Sequence, residues 1–442
     1  MPPTSPNFEN QPLTLHVSTD RALVRAGAAS TRYALVRFTA PRAPRRAERI
    51  PANLALVLDR SGSMNGQKFA LARRAVEQAL SQLRPDDRFA IVVYDDEVEV
   101  VHESSAATPG AVRGALDRLS RVEPRGCTDL SSGWLRGCEQ VARAAADASD
   151  GRAISRCLLL TDGLANRGIT DREELIRHAA ALRERGVQTS TFGVGADFDE
   201  RLLAGMAHAA GGHFYFISSA EQIPGLIASE VGEALEVVLR QAVLEVRLAP
   251  GMSAEPLTRF RSRTVGASSG RSTLRVELGD LVSEQEVELV AAIRFPLGEP
   301  GDVVETELGI VGADGLPCAP AAALHWTYAT HAENDRQPRD QAVDRVVAEL
   351  YAARARAEAV EHNRAGDYER ARQLLTRTAQ RIRSYAGSDP ALNRVADELL
   401  RSAEEFAAGA MSAMQMKEQH FAAHAALMMR EPAGAARRAP KP

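Results

Sequence analysis

Leu54-Ala55-Leu56-Val57-Leu58-Asp59-Arg60-Ser61-Gly62-Ser63-Met64 is the stretch on which the reading of this chain turns. Its first five residues are all apolar, the pattern of a strand covered on both faces. The run then stops at a carboxylate, followed by two hydroxyls at alternate positions. Downstream, strand and helix alternate. Phe69, Ala72, Val76, Leu80 and Leu83 recur at helical spacing, and Phe89–Tyr94 is the next strand. Val98–Val101 reads as a short edge strand, and Leu130, Trp134, Cys138, Val141 and Ala145 mark a second helix. Cys157–Leu160 is another buried strand. A helix over Leu175–Arg185, a strand over Gln188–Val194, a helix over Glu200–Ala209, a strand over His213–Ile217 and a helix from Ala220 to Leu239 complete the series. Such alternation is the signature of an α/β fold with a doubly wound, mainly parallel sheet.

On either side of this block the period is two. Leu13–Val17 alternates and Tyr33–Phe38 is a β-favouring run, before a Pro- and Arg-rich connector from Pro41 to Pro51. Val243–Leu248, Ser272–Leu278, Val287–Phe295, Val303–Val311 and His325–Tyr328 are strand-like and punctuated by Gly and Pro. They point to an antiparallel β-sandwich that the strands before the connector complete, with the α/β block inserted between. Beyond Pro338 the chain turns helical. Val343, Val346, Val347, Leu350, Ala353 and Ala357 form one stripe, and Gly366-Asp367 is a turn and cap opening a second helix to about Ser384. Ala391 to Met428 holds one or two more. The expected division is a disordered lead over 1–11, sandwich strands within 12–50, the α/β domain over 51–239, the sandwich over 240–332, a helical bundle over 333–430 and a disordered tail over 431–442.

A chain of 442 residues calls for two to four domains. Apolar content of 45% and charged content of 25% are ordinary for globular proteins. A net charge of −4, with Lys and Arg spread out, argues against nucleic acid or an anionic membrane as partner. No signal-like start or membrane-spanning apolar run is seen. Cys127, Cys138, Cys157 and Cys318 are too scattered for a disulfide framework, so a reduced, cytoplasmic compartment is expected. Abundant Ala and Arg suggest a GC-rich bacterial genome.

In open α/β sheets ligands bind beyond the carboxyl ends of the strands, where Asp59, Ser61 and Ser63 fall. Thr128, in Gly126-Cys127-Thr128 before the second helix, and Asp162, in Thr161-Asp162-Gly163 after the strand 157–160, arrive at equivalent places. Five oxygen donors of this kind suit a hard cation such as Mg²⁺ or Mn²⁺. Other polar residues read as structural: Asp95 and Asp96 as a solvated turn, Asp197 and Asp199 as caps of the helix from Glu200, Cys127 as a small buried thiol, His213 as a strand-edge residue. The soft apolar stretch Met411, Met414, Met416, Phe421, Leu427, Met428 and Met429 reads chiefly as bundle core. No Ser-His-Asp order, Walker loop or HExxH is present, so an enzyme is not expected.

On these residues the segment 53–239 resembles the von Willebrand factor A (VWA) domain, and Asp59, Ser61, Ser63, Thr128 and Asp162 match its metal-ion-dependent adhesion site, complete. Thr189–Gly195, Asp197-Phe198-Asp199 and Gly211–Tyr215 are similar to the late part of bacterial VWA proteins, and Leu278-Gly279-Asp280-Leu281 to their flanking sandwich. The resemblance implies that Ser61, Ser63 and Thr128 ligate the cation directly, with Asp59 and Asp162 acting through waters or hydroxyls. The cation is then Mg²⁺, with Mn²⁺ or Ca²⁺ as alternatives, and an Asp or Glu of a partner protein takes the open position. A non-enzymatic binding or scaffold protein follows, with oligomerisation as a further option. The competing readings are a structural or self-assembling protein, an adaptor of an ATPase or of a defence or stress system, and, last, a metal-dependent hydrolase.

Overall fold

The computed structural model describes residues 13–43, 49–147, 153–266, 270–407 and 409–438; the lead expected over 1–11 lies outside them. Before the connector run β1 (His16–Thr19), β2 (Leu23–Arg25) and β3 (Ser30–Thr39). The central block then follows as β4 (Ala52–Asp59), α1 (Gln67–Ser81), β5 (Arg88–Tyr94), β6 (Val98–Ala106), α2 (Pro109–Leu119) and α3 (Leu130–Asp147). It continues as β7 (Ile154–Thr161), α4 (Arg172–Glu184), β8 (Val187–Val194), α5 (Glu200–Ala210), β9 (Phe214–Ile217) and α6 (Ile223–Leu235). Its sheet has the order β6-β5-β4-β7-β8-β9, parallel except for the antiparallel edge strand β6. The reason the apolar run at 54–58 is unbroken is now concrete. Leu54, Leu56 and Leu58 pack under α1 and α6, while Ala55 and Val57 pack on the opposite face against α3.

The sandwich is built from β10 (Val237–Leu248), β11 (Ser253–Pro256), β12 (Arg261–Gly266), β13 (Ser272–Val282), β14 (Glu286–Phe295), β15 (Val303–Val311) and β16 (Ala322–Ala329). One sheet is β1-β3-β14-β11 and the other β12-β13-β10-β15-β16-β2. β3 lies antiparallel to β14 from Ser30↔Phe295 to Thr39↔Glu286, and β2 runs parallel to β16. Strands from before the α/β block therefore complete both sheets, as the insertion reading expects. Val246, Leu274, Ile293 and Trp326 fill the space between.

Helices α7 (His331–Arg336), α8 (Gln341–Arg364), α9 (Tyr368–Ala386), α10 (Pro390–Ala407) and α11 (Ala413–Leu427) end the chain. Gly366 takes φ +78° and Asp367 caps α9 through the Arg370 N–H. One face of α8 (Val343, Val347, Leu350) packs on Leu35 and Val290 of the sandwich, and another on α9 and α10. α11 crosses back to the α/β block, where Phe421 meets Phe214 edge-on and Lys417 reaches Glu200 at 2.7 Å. Of the Met-rich stretch, Met411, Met414, Met416 and Met429 pack into cores.

In three places the fold departs from the sequence reading. The helix from Ala220 stops at Leu235, and Val237 already pairs with Val282 as the start of β10. α2 goes unread in the sequence, although Thr108 caps it and Pro109 opens it. The third concerns the tail, which is placed as far as Arg438. Residue 430 explains why. The buried Arg430 guanidinium donates twice to Glu233, at 2.7 and 2.9 Å, to the Tyr215 hydroxyl at 3.1 Å and to the His213 ring at 2.8 Å. Ala436 N–H adds a bond to Glu233 at 2.8 Å. Burial alone would push the Glu230 carboxyl up, but His213 and Arg156 beside it hold it well below the usual carboxylate range. His213 is thus structural, as expected. Removing one member of a buried ion pair strands the other in a poor dielectric, at about 3–5 kcal/mol. Arg430→Ala is expected to lower unfolding stability by that amount in urea titration, whereas truncation after Arg438 is expected to leave it within about 0.5 kcal/mol.

Candidate functional site

β4 ends at the middle of the carboxyl edge of the sheet, flanked by β5 and β7. Its last residue, Asp59, is fully buried. One carboxylate oxygen accepts the Ser61 N–H at 2.8 Å, which bends the chain after the strand, and the other accepts the Thr161 hydroxyl at 2.7 Å. The bend leads into one 3₁₀ turn, Gly62–Met64, placing the Ser61 and Ser63 hydroxyl oxygens 3.1 Å apart. Ser63 donates to Asp162 Oδ1 at 2.6 Å. Thr128 is buried on the neighbouring loop, its hydroxyl close enough to Gly163 that a Cβ there would lie at 3.3 Å. Asn166 holds that loop: its Oδ1 accepts the Thr128 N–H at 3.2 Å. All five residues singled out in the sequence thus meet on one rim.

A second layer fixes the two loops against each other. Arg125 N–H donates to Arg60 O at 2.7 Å, Gly62 N–H to Gly126 O at 3.2 Å, and Asp129 N–H to Asp95 O at 2.7 Å. Asp95 is buried between Arg60 at 3.2 Å and Arg125 at 2.8 Å, so it is not the solvated turn residue expected. Burial alone would raise its carboxyl; the Glu97 N–H and the two arginines hold it below the usual range instead. Asp96 is more exposed, 3.5 Å from Arg167. Gly126 takes φ +69°, and a Cβ there would come within 2.0 Å of Asp96. That left-handed turn sends Thr128 inward and leaves Cys127 exposed, opposite to the buried thiol expected. Asp199 caps α5 through the N–H groups of Arg201 and Leu202, while Asp197, exposed, makes no part of that cap.

The electrostatics favour a cation. Burial pushes the Asp59 carboxyl up to about 6, against the hydrogen bonds from Thr161 and Ser61 and with Asp162 adding to the rise. Lys68, on the first turn of α1, answers part of this charge: its ammonium lies 2.5 Å from Asp162 Oδ2 and 3.3 Å from Ser63 O. Oxygens sharing an octahedral Mg²⁺ at 2.0–2.1 Å stand about 3 Å apart. The Ser61–Ser63 separation of 3.1 Å fits that spacing, and every donor on the rim is a hard oxygen. Lys68, Thr161 and Asn166 escaped the sequence reading. Thr161 was adjacent to a chosen residue and Lys68 lies five positions after Ser63, but neither spacing says that side chains turn toward the rim.

Comparison with known proteins agrees with this architecture. Residues 53–229 match the model of the von Willebrand factor type A domain. An uncharacterized protein of Synechocystis is 27% identical over 284 residues, 63% of this chain and 66% of that one. The YfbK protein of Escherichia coli is 27% identical over 48% of this chain and 36% of its own length. The inter-alpha-trypsin inhibitor heavy chain H1 of Mesocricetus auratus is 32% identical over 37% of this chain and 18% of its own. The chain therefore spans less than two thirds of the curated relatives it matches. Two solved structures share nearly the whole fold: a von Willebrand factor type A protein from Catenulispora acidiphila (TM-score 0.66, 16% identity, 98% and 99% of the two chains) and the ArnB paralog VWA2 from Sulfolobus acidocaldarius (TM-score 0.58, 15% identity, 94% and 99%). Residues 53–229 are thus similar to a von Willebrand factor type A domain, and the whole chain shares the fold of these two structures.

An ammonium on Asp162 opposes entry of a second cation. Lys68→Met is accordingly expected to bind Mg²⁺ about tenfold more tightly by isothermal titration, ~1.4 kcal/mol; weaker binding would mean that Lys68 organises the rim rather than guarding it.

Proposed function

We propose that this protein is a non-enzymatic, metal-dependent binding or scaffold protein that grips an acidic side chain of a partner protein. In this reading Asp59, Ser61, Ser63, Thr128 and Asp162 hold Mg²⁺, with Mn²⁺ or Ca²⁺ as alternatives. When bound, the cation supplies a positive centre for an external carboxylate. What supports the reading is how the rim's own groups are used. Asp59 is taken up by the Ser61 N–H and the Thr161 hydroxyl, and Asp162 by Ser63 and Lys68. The neutral hydroxyls of Ser61, Ser63 and Thr128 are left as donors, so little of a cation's charge would be cancelled. A partner's carboxylate then has something to neutralise.

The same bookkeeping argues against hydrolysis, which needs a positioned base beside the metal. Each oxygen of the two rim carboxylates accepts a protein donor within 2.8 Å, an arrangement that fixes the loops rather than aims a base at water. The sandwich and helices serve as the frame, and we divide the chain as 12–50 with 240–332, 51–239 and 333–430, adding 431–438 to the frame through Arg430 and Ala436. We place the protein in a reducing compartment, the cytoplasm, because Cys138 and Cys157 are buried thiols in contact yet unpaired. Among the described residues no helix is long and apolar enough to cross a membrane.

The test is a peptide display library panned on the protein in Mg²⁺ and eluted with EDTA. Eluted peptides are expected to be enriched in Asp or Glu, to lose binding at least tenfold when that residue becomes Asn or Gln, and to be lost on Asp59→Ala protein. Peptides retained through EDTA, or indifferent to the acidic residue, would overturn the reading.

A further inference from the structure

A cleft of about 670 Å³ lies well away from the VWA rim, between the sandwich and the helices, and shares no residue with the site above. Its volume is that of a small-molecule site. Arg21 comes from the turn before β2, Arg339 from the lead into α8, and Arg377 and Arg381 from α9. Among the described residues no carboxylate lines it.

Two of these four charges are answered nearby. Arg21 lies 3.3 Å from Asp20, and Arg339 makes two 2.6 Å bonds to Asp344. Arg377 and Arg381 have no carboxylate partner among the described residues, which leaves two positive charges over. The buried Arg32 behind the cleft has its guanidinium pushed down to about 10, chiefly by burial and then by repulsion from Arg21, Arg339 and Arg25, against the pull of Asp20. Arg377 and Arg381 also sit one helical turn apart, where like charges destabilise a helix. An anion bridging them would relieve that repulsion.

The cleft also has aromatic walls that hold guanidinium planes in position. Arg381 lies over the Tyr351 ring at 5.2 Å and Arg339 over the Tyr385 ring at 4.7 Å. Tyr33 meets Tyr351 edge-on, their hydroxyls 3.0 Å apart. Donor forks fixed by stacking lose little freedom on binding.

We infer that this cleft binds a phosphate-bearing small molecule of nucleotide size. A carboxylate carries one charge and is satisfied by one arginine fork, whereas a phosphate ester carries close to two and has oxygens for both arginines. A lone phosphate would leave most of the volume empty, and the tyrosines offer faces for an attached ring.

The experiment is titration calorimetry of the full chain with ADP, pyrophosphate or citrate in EDTA and 0.15 M salt, so that the VWA rim takes no part. ADP is expected to bind at a single saturable site, at least tenfold more tightly than pyrophosphate or citrate. The double variant Arg377→Gln/Arg381→Gln, at exposed helix positions, is expected to weaken ADP at least tenfold while keeping the wild-type melting temperature without ligand. Asp59→Ala is expected to leave ADP binding unchanged. The inference fails if ADP shows no saturable binding, if the double variant binds it equally well, or if citrate or pyrophosphate binds as tightly as ADP.

Discussion

A carboxylate with no solvent exposure at the end of the central strand is the constraint around which this molecule is arranged. Burying Asp59 is costly, and the cost is felt as a carboxyl pushed up to about 6. Everything adjacent works to contain it. The Ser61 N–H bends the chain toward it, the Thr161 hydroxyl ties β7 to β4 through it, and the resulting turn carries two hydroxyls to the rim. The sheet is covered on both faces, so the strand that ends in Asp59 is packed on both sides beneath its loops.

Rigidity is also supplied from outside the domain. β3 and β14 pair along their full length, so the chain entering the α/β block and the chain that has left it are stapled in one sheet. Asp280 of the sandwich accepts from Gln188 at the foot of β8, at 2.8 Å. From the far end of the sequence, Lys417 and Arg430 bring buried positive charge to Glu200 and Glu233. The sheet is thereby fastened by one hydrogen bond and two ion pairs from segments distant in sequence.

How much of this the sequence discloses depends on the range of the interaction. The apolar run at 54–58, the alternation after it and the five rim residues are local patterns tied to one strand end each, and they read directly. The sandwich reads less clearly, since β11 and β12 are short and lack a marked apolar run. What escaped was decided by contacts across the fold. Arg430 reads as the end of the helical bundle until Glu233 and Tyr215 are seen around it. Asp95 reads as solvated until Arg60 and Arg125 close over it, and Cys127 as buried until the φ of Gly126 is known. Lys68 is invisible as a rim residue because its helical position does not reveal the direction of a flexible side chain.

The claim at the centre is that the rim oxygens together hold one divalent cation. Electron paramagnetic resonance of Mn²⁺ titrated into the protein tests it most directly, because bound ion is lost from the free-ion signal. The account predicts one stoichiometric site in the wild type, displaced by excess Mg²⁺, weakened at least a hundredfold in Asp59→Ala and kept in Arg377→Gln. Equal Mn²⁺ uptake by wild type and Asp59→Ala, or none by the wild type, would contradict it.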